Sequence, residues 1–271
     1  QKRFYFSKRQ RRRDVVLSRF RYYINCCHYF SFLERTLYYR HTLKRATLRK
    51  RDMNDTTFLK SYRFKNKPFL HQEAYLERFW RADVAALFAD MGTGKSYMLI
   101  NNIAMLYDKG GINAALIVAP KGVYRNWVSS EIPKHMPDHI LYRLAIWTPS
   151  PRKAEKESLD NMFAITEDLK ILVMNIEALS TKKGTSFAQR FLNAHTAMMA
   201  IDESTTIKNH GAKRSKNAVT VGVKAKFRRI LTGSPVTRSP LDLFQQCAFL
   251  SYACLNQASF YGFQNRYAVV I

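Results

Sequence analysis

From about residue 68 onward the chain alternates short apolar runs with longer amphipathic segments. Five runs, "VAALFAD", "AALIVAP", "LKILVMN", "TAMMAID" and "FRRILTG", read as buried strands, each stopping at small, polar or turn-forming residues. Between them lie helix-like stretches: Ser96 to Tyr107, Tyr124 to Lys134, Arg152 to Met162 and Pro240 to Leu250. Strands separated by helices imply βαβ units, and so an α/β domain with a mostly parallel sheet and helices on both faces. Ligands of such sheets bind beyond the carboxyl ends of the strands, so the chemistry is expected where the five runs stop.

The end of the first run carries a phosphate-binding signature. "ADMGTGKS", Ala89 to Ser96, matches the P-loop (Walker A) pattern except that Ala89 stands at its first glycine. It follows a strand-like run and opens a helix-like one, as the pattern requires. Gly92 and Gly94 let backbone amides turn inward around phosphate oxygens, with Thr93 between them, and the helix from Lys95 points its positive end at the anion. Lys95 would pair with the β- and γ-phosphates of ATP, and the Ser96 hydroxyl would ligate Mg²⁺.

A second anchor for that cation stands at the end of another run, in "MMAIDESTTIKN". Asp202, at the tip of a strand, is the expected outer ligand to Mg²⁺, and Glu203 is placed to orient or deprotonate the attacking water.

With these motifs in hand the chain resembles the first RecA-like lobe of superfamily 2 helicases and translocases, the Swi/Snf-type group and its phage relatives in particular. The resemblance spans about residues 68–267. "PFLHQEAYL" is similar to the upstream segment whose glutamine contacts adenine, which would be Gln72. "LIVAPKGVYRNWVSSEIPK" resembles motif Ia, with Pro120, Lys121, Asn126 and Trp127 at matching places. In the family this region lies along a DNA strand, so the resemblance puts Lys121 and Trp127 at a DNA surface, Trp127 as a packing residue of the motif Ia helix rather than a base-stacking platform.

"ILVMNIEAL" is similar to a segment usually written Asn-Tyr-Glu, here Asn175, Ile176 and Glu177. "DESTTIKN" resembles the DEAD/DEAH-type acidic box followed by Lys208 and Asn209. "ILTGSPVTRSPLDLF" resembles motif III, in which Thr232, Gly233, Ser234 and Pro235 link the nucleotide site to the DNA groove. Two further positions depart from the pattern: Thr205 replaces the usual His or Asp, and Arg238 stands where many relatives carry Asn.

The resemblance implies an ATP hydrolase that couples turnover to movement on DNA, expected to be double-stranded. It also implies a second RecA-like lobe whose arginines reach the γ-phosphate. The roughly 30 residues after motif III are too few for another α/β domain, so that lobe is expected in trans or in a continuation of the chain. The lobe alone is then expected to bind nucleotide and hydrolyse it weakly. The alternative is a nucleotide-switched DNA-binding module without motor activity. A small-molecule kinase fits less well, because it leaves motif Ia and "LTGSP" unexplained.

Charge adds a polyanion partner. The chain carries a formal +25, and residues 1–52 alone hold 16 Lys and Arg against 3 acidic residues. Such a surplus favours nucleic acid through counterion release. This first segment interleaves Arg and Lys with Tyr and Phe without helical or strand period, and the first methionine is Met53. It reads either as a basic arm that stacks on nucleic acid or as sequence upstream of the true start, the latter favoured. The domain is therefore expected to run over 53–271.

Cys26, Cys27, Cys247 and Cys254 lack the spacing of a disulfide framework or of a CxxC pair, and the seven histidines show no metal-ligand spacing. No apolar run approaches the ~18 residues of a membrane span. A cytoplasmic setting, in a bacterium or a phage-infected cell, is expected.

Overall fold

The computed structural model describes residues 58–257 and 259–267. The expectations placed on residues 1–52, including those for Cys26 and Cys27, lie outside them. Six strands form one sheet: β1 (Val84–Phe88), β2 (Ala114–Ala119), β3 (Tyr142–Ile146), β4 (Leu169–Asn175), β5 (Ala197–Ile201) and β6 (Phe227–Thr232). Their order is β1-β6-β5-β2-β4-β3, and every pairing is parallel. This is the parallel α/β architecture the alternating pattern predicts, and the resemblance implies its RecA-like form. Each of the five apolar runs is a strand.

Every residue of β2 and of β5 is buried. A parallel strand covered on both faces has no solvent side, so its sequence is apolar without alternation, and the runs stand out for that reason. The sixth strand, β3, is the exception. It lies at the sheet edge, "YRLAI" buries only Ala145 along its length, and an edge strand of mixed polarity has no such signature.

The helices are α1 (Leu70–Phe79) before β1, the crossover helices α2 (Lys95–Asp108), α3 (Tyr124–Asn126), α4 (Ile132–His135), α5 (Lys153–Asn161), α6 (Lys182–Ala194) and α7 (Lys213–Gly222), and α8 (Asp242–Leu250) and α9 (Phe260–Tyr267) after β6. Between α3 and α4 the chain makes a π-helical turn, Trp127–Glu131, so the stretch expected as one helix is wound unevenly. Pro133 supplies the cause: it has no N–H to donate back to Ser129, and its ring crowds that carbonyl, so the turn before it widens.

A buried polar network ties β6 to the helices. Arg229, fully buried on β6, donates Nε–H to Asn102 Oδ1 on α2 at 2.8 Å. Its Nη2 reaches the carbonyls of Phe79 at 3.3 Å and Trp80 at 3.4 Å, at the end of α1. Asn102 completes the ring by donating to Trp80 O at 2.8 Å. The C-terminal carbonyls of α1, which have no partner within the helix, thus stabilise the guanidinium, although burial still pulls its pKa down.

The outgoing connections place the site. The chain leaves β2 toward β3 and β5 toward β6, in opposite directions, and β2 and β5 are neighbours. Such a reversal opens a crevice at the carboxyl ends of the two strands.

Candidate nucleotide site

The P-loop follows β1 as expected. Gly92 and Gly94 adopt φ of 78° and 82°, left-handed values that other residues reach only at a cost. Gly94 is further constrained, because a Cβ there would stand 2.3 Å from Gln72 Nε2. Gln72, buried on α1, donates Nε2–H to Thr93 O at 3.1 Å, and its Oε1 accepts from Phe69 N at 3.0 Å. His71 Nε2 donates to the same Thr93 oxygen at 2.8 Å. The glutamine of the upstream segment and the P-loop are therefore one packed unit.

Lys95 Nζ donates to Ala89 O at 2.9 Å and to Asp90 O at 3.2 Å, which folds its ammonium over the loop it follows. Ser96 is the next residue, in the first turn of α2.

Asp202 stands one residue past β5, beside the β2 end, where its N–H continues the sheet ladder to Val118 O at 2.8 Å. Its carboxylate accepts the Trp127 indole N–H on Oδ2 at 3.0 Å and the Glu203 backbone N–H on Oδ1 at 3.0 Å. Burial raises its pKa; the Trp127 hydrogen bond works against the rise, the Glu203 charge adds to it, and Lys95 opposes it. A carboxylate desolvated at a strand tip, within the field of the P-loop lysine, is a fitting anion for a cation shared with phosphate. Ser96, Asp202 and phosphate oxygens would suffice for Mg²⁺, which keeps several waters and uses few protein ligands.

Glu203 is the one non-glycine residue near the site with a left-handed backbone, at φ 48° and ψ 61°. Thr232, at the end of β6, donates Oγ1–H to Glu203 Oε2 at 3.2 Å and accepts Ser234 N–H at 3.2 Å. The acidic box and motif III thus meet at side-chain level.

Sequence reasoning had not singled out the residues that lock these two motifs together. Asp242, in the first turn of α8, accepts from Thr237 N at 2.9 Å, Thr237 Oγ1 at 2.7 Å and Arg238 N at 2.9 Å, and pairs with Lys208 at 3.5 Å. One turn on, the buried Gln246 accepts from Ser204 Oγ at 2.6 Å and donates to Pro235 O at 2.8 Å. The i, i+4 spacing of Asp242 and Gln246 is the signal that could have found them. Lys208 and Arg238 find their roles in this lock, the latter through its backbone. Asn175 caps the turn after β4, and Glu177 pairs with Arg214 at 2.7 Å.

Of the two residues expected at a DNA surface, the structure separates the pair. Trp127 is 2% exposed and offers no ring face to a nucleic-acid strand; it serves the nucleotide side through Asp202. Lys121 is exposed and lines a separate cleft of about 660 Å³ over the carboxyl ends of β3 and β4, together with Arg125 and Arg152. None of the P-loop residues line it. Glu155 and Glu177 also line it, the first accepting the Arg152 backbone N–H at 2.8 Å and the second paired with Arg214, so three cations stand against two acids and the balance is modestly positive.

A family model described as the SNF2-related domain matches residues 30–269. The chain belongs to the SNF2-related domain family. The match begins upstream of the motifs, inside the basic first segment. Among curated relatives of this SNF2-related domain is an Arabidopsis thaliana protein named "Probable ATP-dependent DNA helicase CHR12". It is 28% identical over 169 residues, which is 59% of this chain and 14% of that protein. A human relative is the "SWI/SNF-related matrix-associated actin-dependent regulator of chromatin subfamily A containing DEAD/H box 1", 27% identical over 59% of this chain and 15% of its own length.

Two solved structures share the fold. The "Sulfolobus solfataricus SWI2/SNF2 ATPase core in complex with dsDNA" superposes with a TM-score of 0.60 at 22% identity, covering 76% of this chain and 40% of that one. The UvsW helicase of bacteriophage T4 gives a TM-score of 0.51 at 12% identity, over 73% of this chain and 64% of that one. The SNF2-related chain thus spans about a seventh of these two curated relatives. Among the described residues no helix is long and apolar enough to cross a membrane.

Proposed function

We propose that this SNF2-related chain is the ATP-binding lobe of a motor that couples ATP hydrolysis to movement on double-stranded DNA. The observation that carries the reading is the convergence of Lys95, Asp202, Glu203 and Thr232 at the carboxyl ends of three strands, with Lys95 acting electrostatically on Asp202.

Lys95 and the P-loop amides hold the β- and γ-phosphates. Ser96 and Asp202 would hold Mg²⁺, whose charge would offset that of the phosphate oxygens. Gln72 contacts adenine: its internal bonds use one Nε2 hydrogen and one Oε1 lone pair, leaving one donor and one acceptor for the base's N7 and N6 amino group. The Glu203 carboxylate takes a proton from water as the water oxygen attacks the γ-phosphorus. The bond from that phosphorus to the bridging oxygen breaks, and ADP leaves.

DNA lies in the cleft holding Lys121, Arg125 and Arg152, a surface of the chemistry that phosphates seek. The crossing arginines come from a second lobe, in cis or in trans, and an arginine finger accounts for ~10³ to 10⁵ in rate where one acts. This lobe by itself therefore turns over slowly.

The test is nucleotide binding and ATPase rate with and without duplex DNA, for the native chain and for Lys121→Ala. Native binding of ATP, with DNA affinity that falls steeply with salt and a salt slope shallower by about 1 in the variant, is expected. Absence of nucleotide binding, or DNA affinity indifferent to Lys121, would sink the reading. Phosphate transfer to a small acceptor in place of water would move it to a kinase.

A further inference from the structure

Trp127 and Asp202 lie 75 residues apart, yet the indole N–H of one is the donor to the carboxylate of the other. The tryptophan is almost wholly buried, and it opens the π-helical turn that Pro133 enforces, so its direction differs from that of a regular helix at this place. A π-turn re-aims the side chains of its own residues relative to those before it. Here the residues before it, Lys121 and Arg125, line the basic cleft, while Trp127 faces the tip of β5.

A carboxylate has about four lone-pair positions. The Trp127 N–H takes one on Oδ2, and the Glu203 N–H takes one on Oδ1. These two donors come from opposite sides of the crevice, one from the segment after β2 and one from the backbone after β5, and together they fix the carboxylate plane. Without the indole the side chain is held at one oxygen alone and can rotate about its Cβ–Cγ bond.

We propose that Trp127 is a positioning residue for Mg²⁺: its N–H holds the Asp202 carboxylate so that its remaining lone pairs are presented to the metal. The inference rests on the reading of this site as a Mg·ATP site. Partners that orient a metal ligand from behind set its geometry, and removing one costs about 10- to 100-fold in metal affinity.

The experiment replaces Trp127 in the full chain by 3-benzothienylalanine, which keeps the bicyclic shape and carries sulfur where the indole carries N–H. Trp127→Phe serves as a second variant. A fluorescent ADP analogue is titrated at a series of Mg²⁺ concentrations, with the thermal melt recorded for each protein. With the benzothienyl side chain, Mg²⁺-free nucleotide affinity should stay within about twofold of native, while the Mg²⁺ concentration needed for half-maximal enhancement rises about 10- to 100-fold. Trp127→Phe should show at least that deficit.

A native-like Mg²⁺ titration in the benzothienyl protein would overturn the proposal, because Asp202 would then be held without the N–H. An equal loss of Mg²⁺-free and Mg²⁺-dependent affinity would overturn it as well, since the defect would lie in the fold of the loop. Failure of the underlying reading is separate and visible in the native control, which would bind no nucleotide at any Mg²⁺ concentration.

Discussion

Thr232 donates its hydroxyl hydrogen to Glu203 Oε2 at 3.2 Å. The threonine ends β6 and the glutamate follows β5, so the bond joins two neighbouring strand ends at the point where the acidic box meets motif III. Thr232 Oγ1 also accepts the Ser234 N–H, so a shift of the loop after β6 is felt at the glutamate through a single side chain. Glu203 is held from behind as well, by Ser204 bonding to Gln246 on α8. An acid that must meet a water at one position gains from such fixing, since a displaced base loses catalytic reach.

Lys95→Ala should abolish ATP binding while leaving salt-sensitive DNA binding intact. Among the described residues the ammonium donates to the carbonyls of Ala89 and Asp90, both at the loop, so the fold should survive with a change below about 1 kcal/mol. Isothermal titration with ATP, beside a melt of the same sample, checks it. Unchanged ATP affinity would remove the P-loop assignment.

Glu203→Gln should keep nucleotide binding and lose turnover, because the amide oxygen can still accept from Thr232 but cannot take a proton from water. Glu203→Gly should be equally inactive yet at least as stable as the native chain. Glycine adopts φ 48° without steric penalty, and the left-handed conformation costs other residues about 1–2 kcal/mol. A urea titration in which the glycine variant is less stable by more than about 1 kcal/mol would argue that the glutamate side chain holds the fold.

Arg229→Met should be among the most destabilising single changes in the domain. It removes the donor to Asn102 and leaves the carbonyls of Phe79 and Trp80 with one partner fewer in a buried place. Orphaned buried acceptors cost about 1–3 kcal/mol each, so a loss of about 3 kcal/mol is expected. A chemical denaturation midpoint within error of native would refute the role given to this network.

Asp242 should lend stability that disappears in acid. Desolvation pushes its pKa up, but the Thr237 hydroxyl, the amides of Thr237 and Arg238 and the charge of Lys208 outweigh this and bring it to about 2 from 3.8. A depressed pKa means that the contribution is complete above the unfolded value and fades as pH falls from about 4 through about 2. Relative to Asp242→Asn, the native chain should therefore lose its advantage over that window. A difference between the two that stays constant down to pH 2 would show that the carboxylate charge is not what holds the loop.

Much of the fold was legible because its signals are local. A strand buried on both faces writes an unbroken apolar run, as β2 and β5 do, and β1, β4 and β6 were visible through runs that are mostly apolar, whereas β3, an edge strand that buries only Ala145, was not. The P-loop showed itself through glycines whose left-handed backbone is a property of single residues, and Asp202 through its place at the end of a run. Lys121, expected at a DNA surface, is exposed.

The sequence by itself thus determined five of the six strands that make the sheet, the turn that can cradle phosphate and the acids that can serve it. Only the tertiary structure decided which of these face one another. The order β1-β6-β5-β2-β4-β3 sets Asp202 against Trp127, Gln72 against Gly94, and Ser204 against Gln246. It also turned Trp127 inward, away from the DNA surface expected for it. The physical reason is that burial and backbone conformation are written residue by residue, while contacts between residues tens of positions apart depend on how parallel crossovers stack the strands. Periodicity along the chain carries no record of that stacking.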